Sequence, residues 1–166
     1  TSRSLLTNNN TLQILQNASE KYPCLLEDLG RAQYSIHMEY YIWESDIFTE
    51  KIKAILIDKA RAGVEVRILY DAFGCFGVLT QAYKAELRQA GVEIHPYLFA
   101  FSMHNIAYRN HRKLVVIDGN IGYLGGMNLS QEHLDGGKHF DHWRDTHIRV
   151  LGEAARVLQG TFFVSW

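Results

Sequence analysis

The spacing of apolar and polar residues predicts a succession of strands and helices in the first hundred residues. Residues 34–43 are rich in aromatic and β-branched side chains, which favour a buried strand. Residues 64–70 alternate apolar with charged positions, as a strand with one buried face does. Between these segments, Asp46 can cap a helix that runs to Ala62, and Gly63 provides its stop.

The same succession is repeated on both sides of this unit. Leucines at helical spacing predict a first helix over residues 22–32, and a further helix is expected from about residue 78 to residue 90. A strand over residues 92–98 follows it. Strands and helices that alternate in this order form parallel α/β layers, because each helix crosses over to bring the next strand alongside the last.

The carboxyl half has a different pattern, which predicts antiparallel strands. Two apolar runs, residues 112–117 and 121–124, are separated by the turn sequence Asp-Gly-Asn, so we expect a hairpin. Residues 142–150 are typical of one more strand, and residues 153–166 of a closing helix. The whole pattern predicts an α/β fold in which a mixed β-sheet is flanked by helices.

The composition is that of one globular domain. The 166 residues are 47% hydrophobic and 21% charged, and 17 basic against 18 acidic side chains leave a formal net charge of -1. We assign residues 1–21, which begin polar and rich in asparagine, to an N-terminal arm that is loose or at best forms a short edge strand, and residues 22–166 to a single domain. The neutral balance argues against a protein that wraps long stretches of nucleic acid.

No run of the sequence approaches the roughly 18 uninterrupted apolar residues that a transmembrane helix requires. The chain begins at Thr1 without a methionine and stops at Trp166 within an apolar, helix-like stretch, so we expect a piece of a longer protein. Cys24 and Cys75 both have apolar neighbours, and two thiols make neither a disulfide framework nor a zinc ribbon. Both are therefore expected to be buried thiols.

The segment His111-Arg112-Lys113 is the first that indicates a specific chemistry. Side chains alternate along a strand, so His111 and Lys113 project from the same face and place an imidazole beside an ammonium. Lysine supplies a positive charge for a phosphate oxygen, and histidine can act as a nucleophile or proton carrier near neutral pH. The pair favours phosphate chemistry, although so short a pattern more commonly marks only a surface histidine and lysine at a strand start.

A longer motif contains this pair. The pattern H-x-K-x4-D-x6-G-G-x-N is formed by His111, Lys113, Asp118, Gly125 and Asn128. It resembles the signature of the phospholipase D superfamily. The family usually has serine where this chain has Gly126, so one hydroxyl hydrogen bond to phosphate is absent, and a backbone amide can replace it.

The resemblance is wider than one motif and extends from about residue 22 to residue 166. Five stretches are similar to the bacterial cardiolipin synthase branch of the superfamily: residues 36–43, 63–71, 108–113, 117–119 and 143–147. The fold that this resemblance implies is a phospholipase D-like α-β-α sandwich. The activity that it implies is that of a phosphatidyltransferase working without a metal or a cofactor.

The resemblance also assigns roles to residues. In the family the motif histidine attacks phosphorus to give a covalent phosphohistidine, and this role falls on His111. The phosphate-binding lysine and asparagine correspond to Lys113 and Asn128, with Gly126 beside them. Fixed donors suit this reaction, because charge grows on the equatorial oxygens during in-line displacement. Water as the acceptor would give phospholipase action, whereas the hydroxyl of a second phosphatidylglycerol would give cardiolipin.

The partners implied are a phosphatidylglycerol-like phospholipid, a membrane surface reached through the parent protein at the bacterial inner membrane, and a second copy of the motif. Residue His111 begins the single H-x-K-x4-D pattern in the sequence. Family members bring two such motifs to one site, where one histidine is the nucleophile and a second acid protonates the departing alkoxide. The second copy would come from the missing half of a longer polypeptide or from a homodimer.

Two alternatives remain open at this point. The chain can be a single-motif phosphodiesterase or nuclease that acts as a homodimer, for which a basic groove is expected. It can also be a non-catalytic half that only packs against the other half. The neutral charge argues against nucleic acid as a partner, and the intact His111, Lys113 and Asn128 argue against a non-catalytic role.

Three carboxylates are candidates for the site. A carboxylate on one ring nitrogen of His111 would fix the tautomer and stabilise the phosphohistidine. Asp145 is our candidate, and Glu39, in another strand, is its rival for a place in the site. Asp118 belongs to the family motif, but an aspartate in an Asp-Gly turn commonly bonds its own backbone, so both a catalytic and a structural role remain open.

Two further features have ambiguous meanings. Four histidines crowd the carboxyl half, but their spacing matches no zinc pattern, so no metal site is expected: His133, His139, His142 and His147. Residues 97–103 form an aromatic run that can contact acyl chains or can simply continue a buried strand into a loop.

Overall fold

A computed structural model describes residues 6–97, 109–137 and 143–166. In these parts the chain forms a seven-stranded sheet in the order β1-β7-β6-β5-β2-β3-β4. The strands span β1 Asn10–Gln16, β2 Ser35–Tyr40, β3 Glu65–Asp71, β4 Glu93–Tyr97, β5 Lys113–Ile117, β6 Ile121–Gly125 and β7 Thr146–Gly152. The predicted mixed sheet is confirmed, because β2, β3 and β4 are parallel and the other pairs are antiparallel.

The helices lie on both faces of this sheet. They span α1 Asn17–Arg31, α2 Ile47–Arg61, α3 Gln81–Gln89, the short α4 Glu132–Asp135 and α5 Glu153–Ser165. Helices α1, α2 and α3 cover one face, where the larger core cluster includes Met38, Ile52 and Val115. Helix α5 covers the other face through Phe162, which packs with Leu114. None of the helices in the described ranges is long and apolar enough to cross a membrane.

Local signals explain why several elements begin where they do. The Asp46 side chain accepts a hydrogen bond from the amide of Thr49 at 2.8 Å, and the Thr49 hydroxyl accepts one from the amide of Asp46 at 3.0 Å. This capping box satisfies two donors at the start of α2. The predicted hairpin is confirmed as β5 and β6, and its turn places Asp118 and Gly119 at positive φ values of 52° and 63°.

The N-terminal boundary differs from the expected one. From Asn10 onward the arm forms the edge strand β1, which is one of its two expected forms, and α1 begins at Asn17 rather than at residue 22. An edge strand needs few buried side chains, and Leu15 is the one fully buried residue of β1, so the segment has a polar sequence although it pairs along its whole length with β7.

Other boundaries shift by a few residues. Strand β7 begins at Thr146 rather than near residue 142, and α3 begins at Gln81, where Thr80 caps it, rather than near residue 78. The short helix α4 had no sequence signal.

Candidate active site

The predicted pair of His111 and Lys113 lies where β5 begins. The Lys113 Nζ donates to His111 Nδ1 at 2.9 Å and to the His111 carbonyl at 2.8 Å. Lys113 is almost fully buried, whereas His111 is exposed. Strand β5 pairs Lys113 with Tyr40 at the carboxyl end of β2, so the imidazole and the ammonium meet at this edge of the sheet.

Tyr41, which follows β2, completes the surroundings of the histidine. Its ring lies 4.4 Å from the His111 ring, centroid to centroid, and the Lys113 Nζ lies 5.2 Å from the same ring centroid. An aromatic face stabilises a nearby cation and fixes the imidazole from one side. The sequence analysis missed this residue, since an aromatic position at a strand end has no distinctive signal.

The protonation of the pair follows from burial and from charge. Burial lowers the pKa of Lys113 to about 8, and the Asp145 carboxylate opposes this shift. Burial, followed by the charge of Lys113, lowers the pKa of His111, while Asp71 opposes the change. At neutral pH the structure therefore holds a neutral imidazole beside a cationic lysine, which is the combination that a nucleophile and a phosphate ligand require.

Asn128 lies on the loop that leaves β6. Its Oδ1 accepts a hydrogen bond from the amide of Ile42, in the segment that follows β2, at 3.2 Å, so this bond holds the side-chain amide. Gly125 ends β6 and Gly126 begins this loop, and the backbone around Gly125 makes that glycine sterically required. A Cβ at Gly125 would meet the backbone of Thr146 and the His147 ring, and a Cβ at Gly126 would meet the Asp145 carboxylate.

The structure brings Asp145 to Lys113 and to the glycine loop. Its Oδ1 accepts from the Thr146 amide at 2.6 Å, and its charge acts on Lys113. The described contacts of the His111 ring are instead with Tyr41 and Lys113. That Asp145 orients His111 stays a prediction, which requires the carboxylate to replace Lys113 at Nδ1.

Asp118 lies away from this group. It follows the last residue of β5, about 16 Å from Lys113 at roughly 3.3 Å per residue. Its carboxylate accepts from three backbone amides at 2.7 to 2.9 Å, those of Gln33, Tyr34 and Ser35. Of the two roles left open by the sequence, the structure supports the structural one: Asp118 ties the turn of the hairpin to the start of β2.

We expect Asp118→Ala to lower the free energy of unfolding by about 1–3 kcal/mol, because three amides lose a charged acceptor and alanine tolerates the positive φ poorly. The Asp118→Asn variant is the matched control, since asparagine tolerates this φ and keeps one acceptor oxygen. Urea unfolding measures the loss. A catalytic role for Asp118 would instead appear as a fall in turnover per folded molecule in both variants.

Glu39 is also outside the group around Lys113. It pairs with Leu114, one position from the Tyr40 and Lys113 pair, so its side chain lies on the opposite face of the sheet, beneath α5. There it accepts a hydrogen bond from Asn110 Nδ2 and lies 3.7 Å from Arg112 Nη1. Burial raises the pKa of Glu39. Sequence alternation alone did not reveal that this carboxylate lies on the opposite face of the sheet from Lys113.

A buried polar group lies behind the glycine loop, and the sequence analysis missed its central member. Lys21 of α1 has no exposed surface, and its Nζ donates to the Met127 carbonyl at 3.0 Å. His147 is also fully buried, and burial lowers its pKa to about 2. Burial lowers the pKa of His133 to about 4. No group of three or more potential metal ligands lies together in the described ranges.

Some expectations fall on residues outside the described ranges. The aromatic run 97–103 is described only at Tyr97, the last residue of β4. His139 and His142 also lie outside the described residues.

The fold defined by this sheet and these helices is of the phospholipase D type. It is similar to the crystal structure of Nuc, a phospholipase D family member from Salmonella typhimurium, with a TM-score of 0.72 and 16% identity over 95% of both chains. It is also similar to phosphatidylserine synthase of Haemophilus influenzae, with a TM-score of 0.67 and 15% identity over 93% of this chain and 36% of that one.

Sequence comparison identifies the family to which the chain belongs. Residues 25–141 match the family described as "Cardiolipin synthase, PLD-like domain", and the chain belongs to that family. Its relatives include the cardiolipin synthase of Geobacillus sp. (strain WCH70), 46% identical over 93% of this chain and 31% of the relative. Cardiolipin synthase 2 of Bacillus anthracis is 47% identical over 92% of this chain and 30% of the relative. The chain thus spans about a third of the length of these relatives.

Proposed function

We propose that this chain is one catalytic half of a cardiolipin synthase-type phosphatidyltransferase. The observation that carries the proposal is the contact between a neutral, exposed His111 and a buried, cationic Lys113, beside a glycine loop that presents Asn128. The substrate is a phosphatidylglycerol-like phospholipid, and the complete polypeptide works at the membrane where that lipid resides. Membership of the cardiolipin synthase family supports this choice of substrate over nucleic acid.

The proposed reaction has two displacements. In the first, an imidazole nitrogen of His111 forms a bond to phosphorus, the bond from phosphorus to the leaving glycerol oxygen breaks, and an acid protonates that oxygen. In the second, the hydroxyl of the acceptor loses its proton to the same acid, now a base, and displaces the histidine. Lys113 and Asn128 donate to the non-bridging oxygens, where negative charge grows in both steps.

The tautomer in this structure limits which nitrogen attacks. Lys113 donates to Nδ1 of His111, so a neutral ring carries its proton on Nε2. Attack by Nε2 requires the ring proton to move to Nδ1, where a carboxylate accepts a hydrogen bond from the N–H group. Once a phosphate attracts the Lys113 ammonium, Nδ1 is released, and Asp145 is the proposed acceptor.

A second half is part of the proposal, and an exposed apolar row on the sheet supports it. Ile14, Ile148 and Leu124 are direct neighbours across β1, β7 and β6, and their side chains are 65%, 41% and 43% exposed. The row continues on β5 as Leu114, which α5 covers. Contiguous apolar surface of this kind is typical of an interface. We expect the second motif-bearing half, or a second copy of the chain, to pack there.

The direct test is to trap the covalent intermediate. The parent polypeptide is incubated with phosphatidylglycerol, quenched in alkali, which preserves phosphohistidine, and digested for mass spectrometry. We expect a phosphatidyl adduct on His111. A parallel incubation with single-stranded DNA tests the nuclease alternative, because an adduct from DNA and none from lipid would overturn the choice of substrate.

The loss of substrate binding at alkaline pH should reflect the deprotonation of Lys113. Its folded-state pKa is lowered to about 8, so the phosphate-binding cation is present below this pH and is lost as the pH rises through it. We expect the KM for phosphatidylglycerol to rise above about pH 8. A Lys113→Arg variant keeps its charge at these pH values, so its KM should be independent of pH in this range. An unchanged alkaline limb in that variant would assign the ionisation to another group.

We also expect chelators to leave phosphatidyl transfer unchanged, because the proposed mechanism obtains its positive charge from side chains rather than from a Lewis acid. The measurement is the transfer rate of the parent polypeptide after dialysis against EDTA. Strong inhibition that is reversed by adding zinc would contradict the proposed mechanism.

A further inference from the structure

Lys21 is a buried lysine directly behind the glycine loop, and burial lowers its pKa well below the usual value. Its side chain has no exposed surface, and its Nζ lies 5.5 Å and 5.1 Å from the ring centroids of Tyr22 and Tyr40. Its hydrogen bond is to the Met127 carbonyl at 3.0 Å. Burying an ammonium costs free energy, and an apolar side chain of similar volume would fill the same space at a lower cost. Packing alone therefore does not explain why a lysine occupies this position.

The hydrogen bond of Lys21 fixes the direction of one peptide plane. A trans peptide is planar, and its C=O and N–H bonds point in opposite directions. Because the Met127 carbonyl points to Lys21, the N–H of Asn128 in the same peptide points away from Lys21. The side chain of this asparagine is also fixed, since its Oδ1 accepts from Ile42. Both donors of Asn128 thus have set directions.

This arrangement supplies the donor that the motif lacks. Gly126 stands where the superfamily motif usually has a serine hydroxyl, and a side chain there would meet the Asp145 carboxylate. We propose that Lys21 is a positioning residue that holds the Met127 carbonyl inward and so directs the Asn128 backbone N–H onto a phosphate oxygen, in place of that hydroxyl. This inference rests on the proposed function only in that the site binds a phosphate group.

The charges around Lys21 fit this role. Burial lowers the pKa of Lys21, the Asp145 carboxylate opposes this shift, and the charge of Lys113 adds to it, so Lys21 and the proposed phosphate site share these two neighbours. The charges of Lys21 and Lys113 also act on the two buried histidines, and both lower the pKa of His133 and of His147. Lys113, whose pKa is about 8, supplies a cation beside the loop at neutral pH, which favours an anion there.

The test compares two lysine variants in the parent polypeptide. Lys21→Met keeps the length of the side chain and removes both the donor and the charge. Lys59→Met is the matched control, because Lys59 Nζ also donates to a backbone carbonyl, that of Ala32 at 2.9 Å, at a place remote from the loop. For Lys21→Met we expect kcat per titrated active site to fall about 100-fold, as for loss of one oxyanion donor. Lys59→Met should stay within about two-fold of the wild type, since it touches none of these groups.

A second measurement does not depend on the lipid. Titration calorimetry with inorganic phosphate should show a dissociation constant about ten-fold weaker in Lys21→Met than in Lys59→Met, corresponding to one lost hydrogen bond to an anion. If the wild type binds phosphate but transfers no phosphatidyl group, the proposed function fails while this comparison still decides the role of Lys21. Equal phosphate affinity in the two variants, or a kcat per titrated site equal to that of the wild type, would overturn the inference.

A purely structural role for Lys21 predicts a different result. It would lower the melting temperature and the titrated fraction of active sites, but not the rate of the sites that remain. Lys21→Gln keeps an N–H donor without the charge. Its kcat should lie between those of the wild type and the methionine variant. A glutamine variant with wild-type phosphate affinity and rate would still fit a hydrogen bond as the cause, whereas a wild-type rate in Lys21→Met or, if that protein does not fold, in Lys21→Leu would contradict the proposal.

Discussion

His111→Ala in the parent polypeptide is expected to reduce phosphatidyl transfer by about 10⁴-fold or more, the scale found when a covalent nucleophile is removed. The reason is geometric as well as chemical. His111 is exposed, and its ring is held between Tyr41 and the Lys113 ammonium, so the structure offers an accessible neutral imidazole at the phosphate site. Alanine has no nitrogen that can form the bond to phosphorus, so the covalent intermediate is lost. Transfer of radiolabelled phosphatidylglycerol measures the effect.

His95→Ala is the matched control for this substitution. His95 is exposed on β4, and its described ring contact is an edge-on one with Trp166, 5.2 Å between centroids. Its removal should change the rate by less than two-fold, as is usual for a surface position. We also expect His142→Ala to retain activity, although His142 lies outside the described residues. Comparable losses from His111→Ala and from either control would contradict the assignment of the nucleophile.

The isolated chain is expected to be inactive as a monomer, with turnover below about 10⁻³ of that of the parent polypeptide. The reason is the leaving group, because a glycerol alkoxide is expelled only if an acid protonates it, and His111 cannot do so while it is bonded to phosphorus. His147 is unsuited to this task, since it is fully buried and its pKa is lowered to about 2. A second copy of His111 meets the requirement.

Sedimentation and transfer assays on the same sample test this expectation. Activity that appears only with the second half, or that rises with the square of chain concentration as a dimer forms, fits a shared site. The apolar row gives a variant that separates association from chemistry: Ile148→Glu should prevent pairing and leave the His111 and Lys113 contact intact, because Ile148 lies on the other face of the sheet from Lys113. Full turnover by a strictly monomeric chain would refute the need for two histidines.

Some of the fold is encoded over a few residues, and these parts could be predicted. The helix after Asp46 and the hairpin at Asp118-Gly119 depend on a cap and on a turn that involve neighbouring backbone groups. Boundaries without such a signal were less accurate. Strand β1 was only one of two options for the N-terminal arm, because it has a single fully buried side chain and its pairing partner, β7, lies more than a hundred residues away.

The sequence by itself determined which residues could carry the proposed chemistry. Spacing put His111 and Lys113 on one patch, because residues two positions apart in an extended segment stay close in any fold, and the resemblance to the family motif added Asn128. The tertiary structure alone decided which other groups join them. Glu39 lies on the opposite face of the sheet. Asp118 accepts hydrogen bonds from three amides more than eighty residues earlier in the chain, and Lys21 donates to a carbonyl 106 residues away. Such contacts depend on how helices and strands distant in sequence pack around one core, and no local pattern of residues encodes that arrangement.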